Sequence, residues 1–458
     1  MDSYALPEVI YLVRTRGELP NCSGLTIYGE VNGLFLVHGA EEDVLRLTQL
    51  GCGVFPLSES VSAPGGTPRT WQPLTTADPL IEEMVESVAW EDLSALIQWL
   101  VDFGTRYSLA LNNDQVASQI GSVFLGYGLI PEYHSFQYSG ETLLNVLATQ
   151  TGTVYPDSFF IICGHFDSVS GDPYLIAPGA DDNGTGTAMV LLAADILSGY
   201  SFRYSIIYIC FNGEEQGLKG SQAYAAWASA NDLGIVGVLN FDMLGYWEPG
   251  VEADLEVETN DASVWLAEAV LNAADLYTET PYELHVYNGA WWGDHASFWG
   301  EGFPAVNHEE AWDWGDPDFN PYYHTTEDLP EYIGEDFMTG NARLGIAALA
   351  TLAQPDAVGT SVEEHSGVPT QFVSLRAFPN PFSDQINFQI DGAVSQDQVL
   401  IDIFDLSGRL VTTMNVPLVQ GSGSGCWIPC RGKDQEGFFA ARIHGSENAG
   451  TARFAWIR

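Results

Sequence analysis

Three apolar runs in the middle of the chain set its architecture. FFIICG (159–164), YSIIYICF (204–211) and VGVLNF (236–241) carry almost no polar positions. A strand buried on both faces has this pattern, whereas a half-solvated strand alternates with period two. Between the first two runs lies GTGTAMVLLAADIL, which opens on glycines and predicts a helix. Helical periodicity is also visible upstream in IEEMVESV and WEDLSALIQWLVDFG. Strands alternating with helices predict an α/β/α sandwich with a mostly parallel central sheet over residues 80–357. In sheets of this kind, ligands bind where the strands end at their carboxyl termini.

The flanks follow other patterns. Residues 8–57 alternate short apolar runs (VIYLV, LTIYGEV, GLFLVHG, VFPL) with turns, around a helix-like EEDVLRLTQLG. They predict a small α+β unit of four strands and one helix over 1–57. Residues 58–79 are rich in Pro, Gly, Ser and Thr and read as an exposed linker, with Arg69 a natural site for nicking. A second polar linker over 358–371 precedes NFQI, VLIDIFD, RLVTTM, GFFAARI and TARFAWIR. These short strands, separated by Gly, Ser and Asn, predict a β-sandwich over 372–458, with VLIDIFDLSGRLVTTM as a hairpin.

Composition adds two constraints. Hydrophobic residues are 46% and charged residues 17% of the 458, an ordinary globular balance. Sixty-one acidic residues face fifteen basic ones, a formal charge of -46. That balance disfavours nucleic acid and anionic membrane surfaces as partners, because both select basic patches. No apolar stretch approaches the roughly 18 residues of a membrane span, so no insertion into a membrane is expected. Met1-Asp2-Ser3 lacks the basic start and apolar core of a signal peptide. Of six cysteines, Cys163 and Cys210 sit inside apolar runs and read as buried thiols. Cys22 with Cys52, and Cys426 with Cys430, are pairs that disulfides could join.

Chemistry gathers where the buried runs stop. FFIICG ends in His165-Phe166-Asp167, and the following loop holds Asp181-Asp182-Asn183-Gly184. YSIIYICF runs into Asn212-Gly213-Glu214-Glu215, and VGVLNF into Asp242. Singly, such residues are helix caps or surface charge. Together at one sheet edge they repel strongly unless cations neutralise them. Imidazole and carboxylate without thiolate suits zinc in a hydrolytic site. Asp167 is placed to accept the second N–H of His165 and fix its tautomer. A second metal needs a further neutral ligand, and His324 in Tyr322-Tyr323-His324-Thr325 is the candidate.

In this order, GHFDS, APGADDNGTG, FNGEEQGLKGS, LNFDM, GDHASF and YYHTTEDL resemble the bacterial zinc aminopeptidases of metallopeptidase family 28. The resemblance spans about residues 85–350 and implies a zinc-dependent exopeptidase with two Zn2+ acting on peptides. It implies that His165 and Asp242 are terminal ligands of one zinc, that Glu215 and His324 serve the other, and that Asp182 bridges. Glu214 corresponds to the general base and Asp167 to the residue orienting the histidine. The family often carries a tyrosine a few residues before the Asp-His pair, where this chain has Ala290, with Tyr287 displaced. Asp294-His295 reads as a supporting or structural pair. Trp291, Trp292 and Tyr287 are candidates for the substrate pocket. The segment AFPNPFS (377–383), the DLSGR turn and GFFAARI resemble a type IX secretion sorting domain. That likeness implies a bacterial protein, secreted or held at the cell surface, that engages secretion machinery. The amino-terminal unit over 1–57, compact and joined to the catalytic region by the 58–79 linker, is expected to be a prodomain.

Three other readings share the fold: a single-zinc glutaminyl cyclase, a carboxypeptidase using an arginine such as Arg203, and an inactive surface-binding protein. The charge makes its own prediction. Self-repulsion at -46 destabilises the compact state until salt screens it. The melting temperature is therefore expected to rise between about 0.01 M and about 1 M salt; a flat profile would show that the acidic surface has no such effect.

Overall fold

The computed structural model describes residues 70–356 apart from 249, 251–253, 289–291 and 312–317, together with the strands and a few adjoining positions of 10–57 and 373–456. In the amino-terminal unit β1 (Ile10–Arg14), β2 (Thr26–Val31), β3 (Leu34–His38) and β4 (Gly53–Leu57) pair antiparallel in the order β2-β3-β1-β4. Tyr11, Val13, Phe35, Val37 and Val54 alternate inward and form a core with Leu47 and Cys52. Most of the expected helix over EEDVLRLTQLG lies outside the described residues. The Tyr11 ring lies 6.0 Å from Lys219 Nζ, which brings this unit against the central one.

The central unit begins with α1 (Pro79–Glu86), α2 (Trp90–Val101) and α3 (Asn113–Gly126). Then come β5 (Pro131–Tyr138), β6 (Glu141–Gln150), β7 (Tyr155–His165), α4 (Gly184–Leu197), β8 (Tyr204–Phe211) and α5 (Lys219–Ala230). The chain continues through β9 (Ile235–Phe241), β10 (Leu255–Thr259), α6 (Val264–Tyr277) and β11 (Tyr282–Val286). It closes with α7 (His295–Gly300), β12 (Ala305–Glu309) and α8 (Glu335–Ala353). The eight strands form one sheet in the order β11-β10-β12-β9-β7-β8-β6-β5. Its centre, β12-β9-β7-β8, is parallel, as the unbroken apolar runs predict; β6 and β10 join that centre antiparallel.

Why the runs are unbroken is visible in the two cores. Phe160, Ile162, Ile206, Tyr208 and Cys210 face α1–α4, α6 and α8. Ile161, Cys163, Ile207, Ile209 and Phe211 face α5 and α7. Each strand buries both sides, so neither parity of its positions is free to be polar. Register does the rest: His165 pairs with Phe211, Cys163 with Asn240, and His308 with Phe241. The segments leaving β7, β8 and β9 therefore reach one edge at one level.

Beyond residue 372, β13 (Val373–Phe378), β14 (Ile386–Gly392) and β17 (Gly423–Trp427) form a three-stranded sheet. Here β15 (Gln398–Asp405), β16 (Leu410–Pro417), β18 (Gly437–Ile443) and β19 (Thr451–Trp456) form a second sheet of four. Ile386, Phe388 and Ile390 of one and Ile401, Ile403 and Ala441 of the other share a core, and β15-β16 is the expected hairpin. Cys163 and Cys210 are buried as expected. Cys22 and Cys430 lie outside the described residues, and with them both disulfide readings. Among the described residues no helix is long and apolar enough to cross a membrane.

One close approach holds the site-bearing edge together. At Gly186, in the first turn of α4, an added Cβ would lie 2.1 Å from the Phe241 carbonyl oxygen. That oxygen is backbone of β9 and has little room to yield. Gly186→Ala is expected to cost about 1–3 kcal/mol through overpacking. Gly199→Ala, whose Cβ meets nothing nearer than the Ile196 oxygen at 3.5 Å, is expected to stay within ~0.5 kcal/mol. Denaturant unfolding of the pair checks this; equal stabilities would remove the packing argument.

Candidate metal centre

Four segments deliver the candidate residues to the sheet edge. His165 is the last residue of β7, Glu214 and Glu215 follow β8, and Asp242 follows β9. Asp182 sits in the loop before α4, where Asn183 caps the helix by accepting from Gly186 N at 2.8 Å. The Asn183 amide also donates to the Phe241 carbonyl at 2.9 Å, tying this loop to β9. His324 comes from a loop and holds a left-handed backbone, φ 57°, a conformation that costs about 1–3 kcal/mol outside glycine.

All five proposed donors meet. His165 Nε2 lies 3.4 Å from Asp182 Oδ1 and 3.3 Å from Asp242 Oδ1. His324 Nε2 lies 3.2 Å from Asp182 Oδ2 and 2.8 Å from Glu215 Oε2. The two oxygens of Asp182 thus face two different donor sets. His165-Asp182-Asp242 and Asp182-Glu215-His324 each offer ligand atoms within 4.8 Å of one another, all buried. Asp182 Oδ2, Glu215 Oε1, Asp242 Oδ1 and both ring nitrogens of His324 are buried without hydrogen-bond partners. A carbonyl can only accept, so the 3.0 Å contact from His165 Nδ1 to the Asp167 carbonyl puts the proton on Nδ1. The Nε2 lone pair then points at carboxylates, an arrangement that suits a cation between them. The donor set of two imidazoles and three carboxylates fits zinc.

The expected contact from Asp167 differs in detail. Its carboxylate is 3.6 Å from His165 Nδ1, while its own carbonyl makes the hydrogen bond. The carboxylate instead accepts from Glu214 N at 3.2 Å, Glu215 N at 3.3 Å and Ser108 Oγ at 3.1 Å. The i, i+2 spacing brings both side chain and carbonyl near the ring, and the carboxylate is taken by the turn after β8.

Two supporting residues were not singled out by the sequence. Arg106, fully buried, donates to the carbonyls of Phe166 at 2.7 Å, Pro178 at 2.6 Å and Gly179 at 2.8 Å. It joins the loop after His165 to the loop before Asp181-Asp182. Asp328 accepts from Asp181 N at 3.1 Å and Asp182 N at 3.0 Å. It belongs to the YYHTTEDL segment, and its acid-rich setting is the one clue the sequence held.

Crowding and burial displace the ionisation of the whole group. Burial pushes the Glu214 carboxyl well up, with Glu215, Asp242 and Asp294 adding to it and His165 opposing. Glu215 is raised to about 8 by burial and by Asp182. Burial also raises Asp242 and pushes Asp294 to about 7. For His324 burial acts downward, yet Glu215 and Asp182 outweigh it and hold the imidazole near about 10. Asp182 is held below the usual carboxylate range: burial raises it, and the two imidazoles beside its oxygens, His165 and His324, more than offset that. Arg106 is lowered by burial to about 10 and so stays a cation at neutral pH.

The remaining candidates are less central. Trp292 Nε1 donates to Glu258 Oε2 at 3.1 Å, and its ring stacks on half-exposed Tyr287 with centroids 6.2 Å apart. Trp291 and Ala290 lie outside the described residues. Asp294 and His295 are fully buried, and burial lowers His295 to about 3. Arg203 precedes the first residue of β8, so the eight residues of that strand, about 26 Å, separate it from Asn212. It cannot anchor a carboxylate at this centre.

Residues 145–349 match the model of Peptidase family M28, and residues 376–424 that of a Secretion system C-terminal sorting domain. A probable zinc metalloprotease of Pyrenophora teres f. teres is 27% identical over 351 residues, covering 62% of this chain and 71% of that protein. Aminopeptidase YwaD of Bacillus subtilis is 32% identical over 220 residues, 46% of this chain and 45% of its own length. The crystal structure of the Legionella pneumophila LapA aminopeptidase superposes with a TM-score of 0.60 at 19% identity, covering 76% of this chain and 99% of that one, and shares the fold. The chain therefore carries a metallopeptidase domain of peptidase family M28, followed by a secretion system C-terminal sorting domain.

Proposed function

We propose that this protein is an aminopeptidase that hydrolyses the first peptide bond of peptides with a free amino terminus, at a centre holding two Zn2+. The observation that carries the reading is the orientation of Asp182, with Oδ1 toward His165 and Oδ2 toward His324. His165, Asp182 and Asp242 would hold one ion, and Asp182, Glu215 and His324 the other. Bound zinc supplies a Lewis acid for the scissile carbonyl and eases deprotonation of water there. A single-zinc acyl transferase has no use for the second donor set, and an inactive binding protein has no use for either.

The protein's own residues supply the rest. Glu214 lies 3.8 Å from His165 Nε2, on a backbone that Asp167 fixes. A carboxylate so placed suits a base that takes a proton from the attacking water and returns it to the leaving amine. The excess of carboxylates at the centre attracts a substrate ammonium, which selects a free amino terminus. The sorting domain leads us to place the enzyme outside the cell or on its surface, reached through secretion machinery.

Glu214→Gln is expected to keep its zinc while turnover falls by at least ~10²-fold, the scale of a lost general base. Asp182→Ala is expected to lose metal, because its carboxylate faces both donor sets. Metal analysis beside a peptide assay separates them, and near-normal turnover in Glu214→Gln removes the proton-shuttle role. A panel of free and amino-blocked peptides, read by mass spectrometry with and without chelator, tests the activity itself. Free peptides should lose one amino-terminal residue at a time and only with metal present; cleavage of blocked peptides at an equal rate would sink the aminopeptidase reading.

A further inference from the structure

A second group of donors lies on the other half of the sheet. In β10, Leu255 and Val257 belong to the larger core, and in β11 Tyr282 and Leu284 pack against it. Strand alternation therefore sends Glu256, Glu258, Glu283 and His285 to the opposite face. Register aligns them: Glu256 pairs with Glu283 and Glu258 with His285, while Glu309 of β12 pairs with Glu256 from the other side. Four carboxylates and one imidazole thus share one patch. Strand β12 stands between β10 and β9, so at about 4.8 Å per strand the patch is roughly 10 Å from the strand that leads into Asp242. It shares no residue with the donor sets of the proposed centre.

The members of the patch differ in how they are satisfied. Glu258 Oε2 accepts from Trp292 Nε1 at 3.1 Å and from Asn307 Nδ2 at 3.2 Å, and Glu309 Oε2 accepts from Asn307 Nδ2 at 3.2 Å. Glu256 is only 6% exposed, yet its Oε2 is buried without a hydrogen-bond partner. That oxygen lies 2.5 Å from His285 Nε2. The same arrangement, a carboxylate oxygen without a hydrogen bond beside an imidazole Nε2, occurs at Asp182 Oδ2 and His324, 3.2 Å apart. Glu283 completes a triad: Glu256, Glu283 and His285 each offer a ligand atom within 4.8 Å of the others. Burial, together with Asp254, Glu283, Asp318 and Glu258, raises the Glu256 carboxyl to about 8, so its surroundings oppose its ionisation until a cation joins them. Glu283 is exposed, which leaves the triad open to solvent on one side. One imidazole and two carboxylates suit a divalent transition ion such as Zn2+, whereas Ca2+ takes only oxygen ligands and more of them.

We propose that Glu256, Glu283 and His285 form a further metal site, which binds a divalent transition ion of the zinc class and fastens β11, the end strand of the sheet, to β10. The site goes beyond the aminopeptidase reading and does not depend on how many ions the carboxylate centre holds. In the test, metal-free full-length protein is loaded with Zn2+ and cleared of excess by gel filtration at about 0.15 M salt, where scattered surface acids are screened. Its zinc content is then measured. Glu283→Gln/His285→Gln is expected to carry about one zinc per chain fewer than the wild type. In an Asp182→Ala chain, whose centre is disabled, the same pair of changes should lower the remaining zinc by the same amount. Melting curves of Glu283→Gln add a second readout. Without metal it should melt no lower than the wild type, because a repelling charge is gone; with Zn2+ it should melt lower, because a ligand is gone. A glutamate that merely supports the strand would shift both curves alike. Should the double variant fail to fold, Glu283→Gln, exposed and nearly unchanged in shape, decides the zinc count by itself. Equal zinc content in wild type and variant would overturn the proposal, and so would a Glu283→Gln melting shift that is the same with and without Zn2+.

Discussion

Mutual repulsion among buried carboxylates is the constraint on which this structure turns. Asp167, Asp182, Glu214, Glu215, Asp242 and Asp328 are all at most about one-tenth exposed or just above it and converge on one edge of a sheet. Two like charges about 4 Å apart repel by roughly 4 kcal/mol at the effective dielectric of a protein site. A domain's whole net stability is about 5–15 kcal/mol, so several such pairs cannot stand unopposed. Three sets of groups oppose them. His165 and His324 lie between the carboxylates, Arg106 adds a buried cation, and main-chain N–H groups are aimed at Asp167 and Asp328. Of these six, Asp182, Glu215 and Asp242 each keep one buried oxygen without a hydrogen-bond partner. These three belong to the donor sets of the proposed zinc ions, so repulsion concentrates where cations would relieve it.

The fold contributes rigidity more than chemistry. Strands that bury both faces cannot slide by one residue without turning core into cleft, so the register of β7, β8 and β9 fixes the level of everything that follows them. Gly186 lets α4 approach β9 closely, and Asn183 joins cap and strand in one residue. The loop bearing Asp182 is therefore held from both sides, by the Asn183 amide on Phe241 and by Asp328 beneath its own amides. His324 alone arrives on a loop with a strained backbone. Its ring is held by stacking on Tyr323, with centroids 3.6 Å apart.

Much of this was legible in the sequence because the relevant pattern is local. FFIICG, YSIIYICF and VGVLNF announce buried strands by themselves, and GTGTAMVLLAADIL matches α4 end to end. The polar residues that follow each run needed only the rule that such edges form clefts. Arg106 and Asp328 escaped because their meaning is wholly tertiary. The loop carbonyls that Arg106 ties together lie 60 to 73 residues away, and the main-chain N–H groups that Asp328 accepts from lie 146 to 147 away. In a linear reading an arginine in Thr105-Arg106-Tyr107 and an aspartate in Glu327-Asp328-Leu329 look like ordinary surface residues. Trp292 is a different case: an aromatic beside the Asp294-His295 pair suggests a pocket wall, and the contact that holds it, from its indole N–H to Glu258, has no local signal.

The division of labour between Glu214 and Glu215 follows from one further contact. Glu214 and Glu215 open the turn after β8, where the Glu214 carbonyl accepts from Gly217 N and Leu218 N, and consecutive side chains leave a turn in different directions. Asp167 accepts the main-chain N–H of each, at 3.2 and 3.3 Å, and so fixes the peptide from which the two diverge. Glu215 swings to within 2.8 Å of His324, whereas Glu214 stays 3.8 Å from His165, beyond direct bonding. The first distance belongs to a group sharing a site with the imidazole. The second leaves the Glu214 carboxylate uncommitted to that imidazole. Asp167, which the sequence offered as a partner for His165, thus governs the proposed base through the backbone, while its own carbonyl keeps the imidazole in the tautomer that a cation needs.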